Sequence, residues 1–175
     1  MPSGNEPRVI LVMGVSGAGK STVGRALADR LQGAFIEADD YHSDAAITRM
    51  RRGVPLDDEA RWPWLQRVHA ALAAALRDAP PGRAVVVSCS ALKAAYRTVL
   101  LDGFDDARVV LLDVDRATLD ARLRHRPGHF MPPDLLDSQL ADLEPPVGAI
   151  RVDATRGPEA AVSAIVTALG IPGGT

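Results

Sequence analysis

One cysteine, two lysines and one asparagine occur in 175 residues, and each scarcity excludes something. A lone Cys89 can form no intrachain disulfide, which fits a reducing compartment. Asn5 is the sole asparagine, so the guanine-reading Asn-Lys-x-Asp motif of GTPase switches cannot be written. The Leu-Ser-Gly-Gly-Gln signature of ABC-type ATPases is also missing. No apolar run approaches the roughly eighteen residues of a membrane span. Residues 1–7 are polar and lack the apolar region of a secretory signal. The net charge of −2 provides no basic field for nucleic acid or an anionic membrane. His125 and His129 have no cysteine partners and make no zinc site. A cytoplasmic protein with a small-molecule partner is expected.

What is present is ordinary for one globular domain: 47% hydrophobic and 24% charged residues. The informative stretch is Gly14-Val15-Ser16-Gly17-Ala18-Gly19-Lys20-Ser21, which fits G-x-x-x-x-G-K-[ST] at every fixed position. An apolar segment precedes it and a helical pattern follows from Thr22. That is the strand–loop–helix context of a phosphate-binding P-loop. Glycines let consecutive backbone N–H groups turn inward onto phosphate oxygens, and the helix N-terminus adds partial positive charge. Gly14, Ser16, Gly17, Ala18, Gly19 and Thr22 are therefore expected around ATP. Lys20 is expected at the β- and γ-phosphates and the Ser21 hydroxyl on Mg²⁺.

Apolar runs alternate with helical patterns along the rest of the chain. Strands are expected over 8–13, 34–37, 84–88, 109–113 and 149–152. Helices are expected from the P-loop to about 31, over 45–52, from Pro63 to 79, over 91–101, from Asp115 to 124, over 134–143 and from Pro158 to 170. Gly33 is expected to cap the first helix, and Pro63 to sit in the first turn of the third. This alternation implies an α/β fold, a parallel sheet with helices on both faces. Ligands in such sheets bind at the carboxyl ends of the strands. The polar groups there are the P-loop, the Asp39-Asp40-Tyr41-His42 run, the 89–93 run, Asp113 with Asp115, and Asp153.

Phosphoryl transfer needs a group that orients the acceptor hydroxyl, and Asp39 is the candidate, with Asp40 second. Asp39 is also a candidate Mg²⁺ ligand with Ser21. His42 suits a polar acceptor. Arg61, Arg97, Arg122, Arg124 and Arg126 are candidate anion clamps, since guanidinium binds carboxylate and phosphate bidentately. Lys93 and Arg97, four apart, are expected on one helix face beside the site. The arginines at 122–126 flank a loop with Gly128 that reads as a lid, about 122–134. Tyr96, Cys89, Trp62 and Trp64 read as packing residues. Asp113 reads either as a carboxylate of the Walker-B kind or as a cap.

These blocks together resemble the gluconate kinases (gluconokinases), P-loop small-molecule kinases related to shikimate kinase. The matching blocks lie at 13–21, 38–42, 50–58, 61–65, 89–97, 128–133 and 135–146. The Cys-Ser-Ala-Leu-Lys-x-x-Tyr-Arg and Gly-His-Phe-Met-Pro-Pro blocks are the narrowest of them. The resemblance implies transfer of the ATP γ-phosphate to the 6-hydroxyl of D-gluconate. It also implies a three-layer fold with a five-stranded parallel sheet in the order 2-3-1-4-5, and often a homodimer. It assigns Lys20, Asp39 and Arg126 to catalysis and Arg122 to the nucleotide. Asp39, His42, Arg61, Lys93, Arg97 and His129 go to the acceptor, with an acceptor-binding segment at about 39–65. Ser43, Ala46, Arg49 and Ala60 depart from the family pattern, and all fall in that segment. A kinase for another small sugar acid or polyol, or a nucleotide-binding module without catalysis, stays open as an alternative.

Overall fold

Five apolar residues, Val9–Met13, form β1 at the centre of the sheet, and every one is buried. Burial on both faces requires a cover on both faces. The computed structural model, which describes residues 8–125 and 133–171, shows how the chain supplies it. After β1 come α1 (Lys20–Arg30), β2 (Ala34–Glu37), a 3-10 turn (Ala38–Tyr41), α2 (Asp44–Arg51) and α3 (Asp58–Asp78). They are followed by β3 (Val85–Ser88), α4 (Ala94–Leu100), β4 (Arg108–Asp113), α5 (Arg116–Arg124), α6 (Pro133–Asp142), β5 (Ile150–Asp153) and α7 (Pro158–Ala168). The sheet is parallel in the order β2-β3-β1-β4-β5, the order the resemblance implies.

Strand alternation divides the core in two. Ile10, Val12, Val86, Val110 and Leu112 pack with Val23 and Leu27 of α1 and Ile165 of α7. Val9, Leu11, Val85, Val87 and Leu111 pack with Trp64, Leu65, Val68 and Leu72 of α3 and with Tyr96 and Leu100 of α4. All strands therefore point their carboxyl ends to one edge, where the connecting loops collect.

Three local expectations need correction. First, Gly33 is not the left-handed residue that ends α1; Gln32 is, at φ 51°. The Gly33 N–H bonds Ala28 O at 2.9 Å and the Gln32 N–H bonds Asp29 O at 3.1 Å, a Schellman closure. Gly33 is needed because a Cβ there would lie 2.2 Å from the Ala84 carbonyl oxygen. Second, α3 begins at Asp58, capped by Asp57, whose side chain accepts from the Ala60 N–H at 2.8 Å. Pro63 thus stands inside the helix rather than in its first turn. Third, α4 begins only at Ala94, leaving Lys93 at its N-cap and off the helix face.

Candidate active site

The phosphate loop leaves β1 at Gly14. A Cβ at Gly14 would lie 3.2 Å from both Leu112 O and the Ala18 Cβ. Gly17 and Gly19 hold φ of 85° and 94°, which a side chain rarely adopts. The turn is closed by the Ala18 N–H on Val15 O at 3.2 Å. Lys20 folds back to donate from Nζ to Val15 O at 3.1 Å, a second bond across the same turn. Ser21 and Thr22 follow in the first turn of α1, partly exposed and exposed respectively. The backbone therefore has the cradle that the motif requires.

Two side chains hold this cradle from outside. Arg122, in the last turn of α5, donates to Gly17 O at 3.2 Å, Ala18 O at 3.3 Å and Ala154 O. It joins the loop to the segment between β5 and α7 and borders a cleft of about 260 Å³ beside Gly19, Thr22 and Pro158. Gln139 of α6 bonds Ser16 from the other side. A second cleft, about 350 Å³ near Gln32 and Arg83, lies at the opposite end of the sheet and gathers no catalytic groups.

Asp39 comes from the 3-10 turn directly after β2, with its side chain 74% exposed. The turn is pinned from below: Trp64 Nε1 donates to Ala38 O at 2.7 Å, and Arg67 Nε donates to Tyr41 O at 2.8 Å. His42, expected to meet a polar acceptor, is packed into the fold. Its side chain is 5% exposed and its ring stacks on Trp64, with centroids 4.2 Å apart. His42 Nε2 stands 3.7 Å from Asp39 Oδ1, while the buried Nδ1 has no hydrogen-bond partner among the described residues. His42 thus packs between Trp64 and the turn that carries Asp39.

Cys89 reports on the same neighbourhood. Burial pushes its thiol up to about 12, with the Asp39 charge adding to the rise and Lys20 opposing it. The carboxylate and the ammonium therefore act on one point at the end of β3. A thiol held that high stays protonated and inert, so the packing reading of Cys89 stands.

A cluster of charged side chains is built from α3 and the segment before α4. Tyr96 OH donates to Asp58 Oδ1 and accepts from Arg61 at 2.8 Å, while Lys93 Nζ lies 3.3 Å from Asp58 Oδ1. The Tyr96 hydrogen bond, followed by the nearby Lys93, holds the Asp58 carboxyl below its ordinary value. The Asp58 contact in turn raises Lys93. Lys93 pairs with the Asp58 carboxylate, and Arg61 reaches the same cluster through the Tyr96 hydroxyl.

Arg97 requires a correction. It is 9% exposed and donates to Ala91 O at 2.8 Å, Leu92 O at 2.9 Å and Glu144 O at 2.9 Å. Its guanidinium clamps the turn where Ala91 is forced to φ 41°, rather than projecting beside Lys93. Arg126 and His129, and most of the expected lid, lie outside the described residues. Asp113 pairs with Arg151 of β5 at 2.8 Å, and Asp115 caps α5 through the Thr118 N–H at 2.9 Å. Sequence reasoning missed Asp58 and underrated Tyr96. The only signal was the adjacent Asp57-Asp58 pair, of which one acid caps and the other is left for contacts.

Among the described residues no three acidic, histidine or cysteine side chains could hold a metal by themselves. Ser21 and Asp39, one hydroxyl and one exposed carboxylate beside a phosphate cradle, suit Mg²⁺ that arrives with nucleotide phosphates.

A family model described as an AAA domain matches residues 9–146. A Mus musculus protein named "Probable gluconokinase" is 47% identical over 157 residues, covering 80% of this chain and 84% of its own. A gluconokinase of Gluconobacter oxydans is 41% identical over 168 residues, covering 93% of this chain and 92% of its own. A crystal structure of a gluconokinase from Sinorhizobium meliloti superposes with a TM-score of 0.83 at 39% identity, covering 97% of this chain and 95% of that one.

Proposed function

The chain belongs to the gluconokinase family, and on that premise we propose that it transfers the γ-phosphoryl group of ATP to the 6-hydroxyl of D-gluconate, giving 6-phosphogluconate and ADP. The supporting observation is the pairing of an intact phosphate cradle with the Arg61–Tyr96–Asp58–Lys93 cluster, two cations against one carboxylate. That excess of positive charge favours an acceptor carrying a carboxylate over a neutral sugar.

The chain's own groups divide the work. Backbone N–H groups of Gly17 and of residues 19–21, with the Lys20 ammonium, bind the β- and γ-phosphates and offset the charge that builds between them in transfer. The nucleotide's remaining parts occupy the cleft beside Arg122. Asp39 orients the acceptor hydroxyl and takes its proton as the new oxygen–phosphorus bond forms and the bond to the β-phosphate oxygen breaks. His42, packed on Trp64, holds the Asp39 turn in place rather than touching the acceptor. Arg61 and Lys93 receive the sugar-acid carboxylate. Mg²⁺, held by Ser21 and Asp39 with the phosphates, supplies further neutralisation when bound.

A related reading is a kinase for another small sugar acid. Ser43, Ala46 and Ala60, the departures noted above, favour it because they line the acceptor segment. Here Ser43 serves as the N-cap of α2, its hydroxyl accepting from the Ala46 N–H at 3.2 Å. A panel of sugar acids and matched neutral polyols, read as ATP-dependent kcat/KM, tests both. The account expects gluconate to lead; a neutral polyol at the top would overturn the carboxylate pocket.

A further inference from the structure

α6 carries a contact that the reaction as derived above does not use. The Ser16 N–H donates to Gln139 Oε1 at 2.8 Å, and Gln139 Nε2 donates to Ser16 Oγ at 3.1 Å. The two residues are 123 positions apart, so this reciprocal pair is tertiary and depends on where α6 is held. It is held firmly at its C-terminal end. The Glu144 carboxylate accepts from the Ala94 N–H at 2.6 Å, its own N–H donates to Leu92 O at 2.9 Å, and its carbonyl accepts from Arg97.

The direction of the two bonds matters. A serine hydroxyl has one proton and two lone pairs. Once the Gln139 amide donates to Ser16 Oγ, the Ser16 proton cannot point at that amide. It must point elsewhere, and Ser16 stands in the phosphate cradle. The neutral amide achieves this without adding charge beside the phosphates. A carboxylate at 139 would accept from the Ser16 N–H but could not donate to Oγ.

We propose that Gln139 is a positioning residue for phosphoryl transfer, which sets the Ser16 hydroxyl as a hydrogen-bond donor to the nucleotide phosphates. The assignment rests on the reading of residues 14–21 as the ATP phosphate site. A helix–loop contact that served stability alone would make the same two bonds, so the test has to separate the two roles.

The test is the dissociation constant of a non-hydrolysable ATP analogue with Mg²⁺, by calorimetry. The proteins are wild type, Gln139→Met, Gln139→Glu, Ser16→Ala, Lys20→Ala and the Gln139→Met/Ser16→Ala double variant. Thermal melting checks that each is folded. Gln139→Met is expected to weaken binding about tenfold, on the order of 1.4 kcal/mol, and Gln139→Glu more. In the Ser16→Ala background, Gln139→Met should cost less than about threefold, because the effect runs through that hydroxyl. Binding within twofold of wild type in folded Gln139→Met would overturn the proposal. So would equal losses in both serine backgrounds, the result a merely structural contact gives. Should Gln139→Met not fold, Gln139→Glu decides, since undiminished binding there is equally contrary. Lys20→Ala separates the two levels. If it binds the analogue normally, the phosphate-site reading itself fails. If it loses binding while the Gln139 variants keep it, only the Gln139 assignment fails.

Discussion

In the proposed reaction Lys20 serves the donor and Asp39 the acceptor, and single substitutions separate these roles. Lys20→Ala should lower kcat by about 10²-fold or more, because one preorganised charge is lost at the phosphates. Its melting temperature should stay near that of wild type, since Lys20 is part-exposed and its role is electrostatic. Asp39→Asn keeps the shape and loses the base, so kcat should fall about 10²-fold. A change confined to KM would make Asp39 a binding group only. Asp58 offers a pH signature. Its folded pKa is depressed, so its stabilising contribution is full above the ordinary value of 3.8 and is lost as pH falls through the lower folded value. The gap in denaturant midpoint between wild type and Asp58→Asn should therefore persist from neutral pH to about 4 and close below it. A gap that widened on acidification would contradict the assignment. The sequence made the donor half of this site legible, because the phosphate loop is contiguous and each glycine has a local reason. The proposed acceptor half was not, because its charges meet only in the fold. Arg61, Asp58, Lys93 and Tyr96 come from two segments some 35 residues apart. Arg97 was misplaced because nothing local shows that its guanidinium is spent on three carbonyls.

At the scale of elements, the strands were easier to read than the helix ends. Continuous apolar runs such as Val9–Met13 and Val85–Ser88 mark strands buried on both faces. Helix boundaries depend on side-chain caps that compete with glycine and proline signals. Pro63 drew the expected start of α3 inward, yet Asp57 caps the helix six positions earlier and Asp58 and Glu59 favour the positive end of its dipole. Gly33 looked like the left-handed terminator of α1; it takes part in the closure through its N–H, but glycine is needed there for the close approach to Ala84 just before β3. Gly33→Ala should cost about 1–3 kcal/mol in denaturant unfolding, since the backbone of Ala84 cannot give way as a side chain would. Gln32→Gly should be neutral or stabilising, because glycine adopts the left-handed conformation there without strain. A neutral Gly33→Ala would remove the packing explanation for the connection from α1 to β2.

For the whole molecule, parallel strands with helices on both faces bring five loops to one edge, and the chemistry follows from which residues those loops carry. The fold was readable from the alternation of strand and helix, and the resemblance supplied the strand order that alternation alone leaves open. No helix among the described residues is long and apolar enough to cross a membrane. The central claim is the identity of the phosphorylated product. Purified protein with Mg²⁺, ATP and D-gluconate should yield one ADP for each 6-phosphogluconate, identified by phosphorus NMR and mass spectrometry. Formation of that ester, abolished by Lys20→Ala, is the predicted result. ADP release without a phosphorylated gluconate, or a phosphoryl group on any other oxygen of it, would contradict the account.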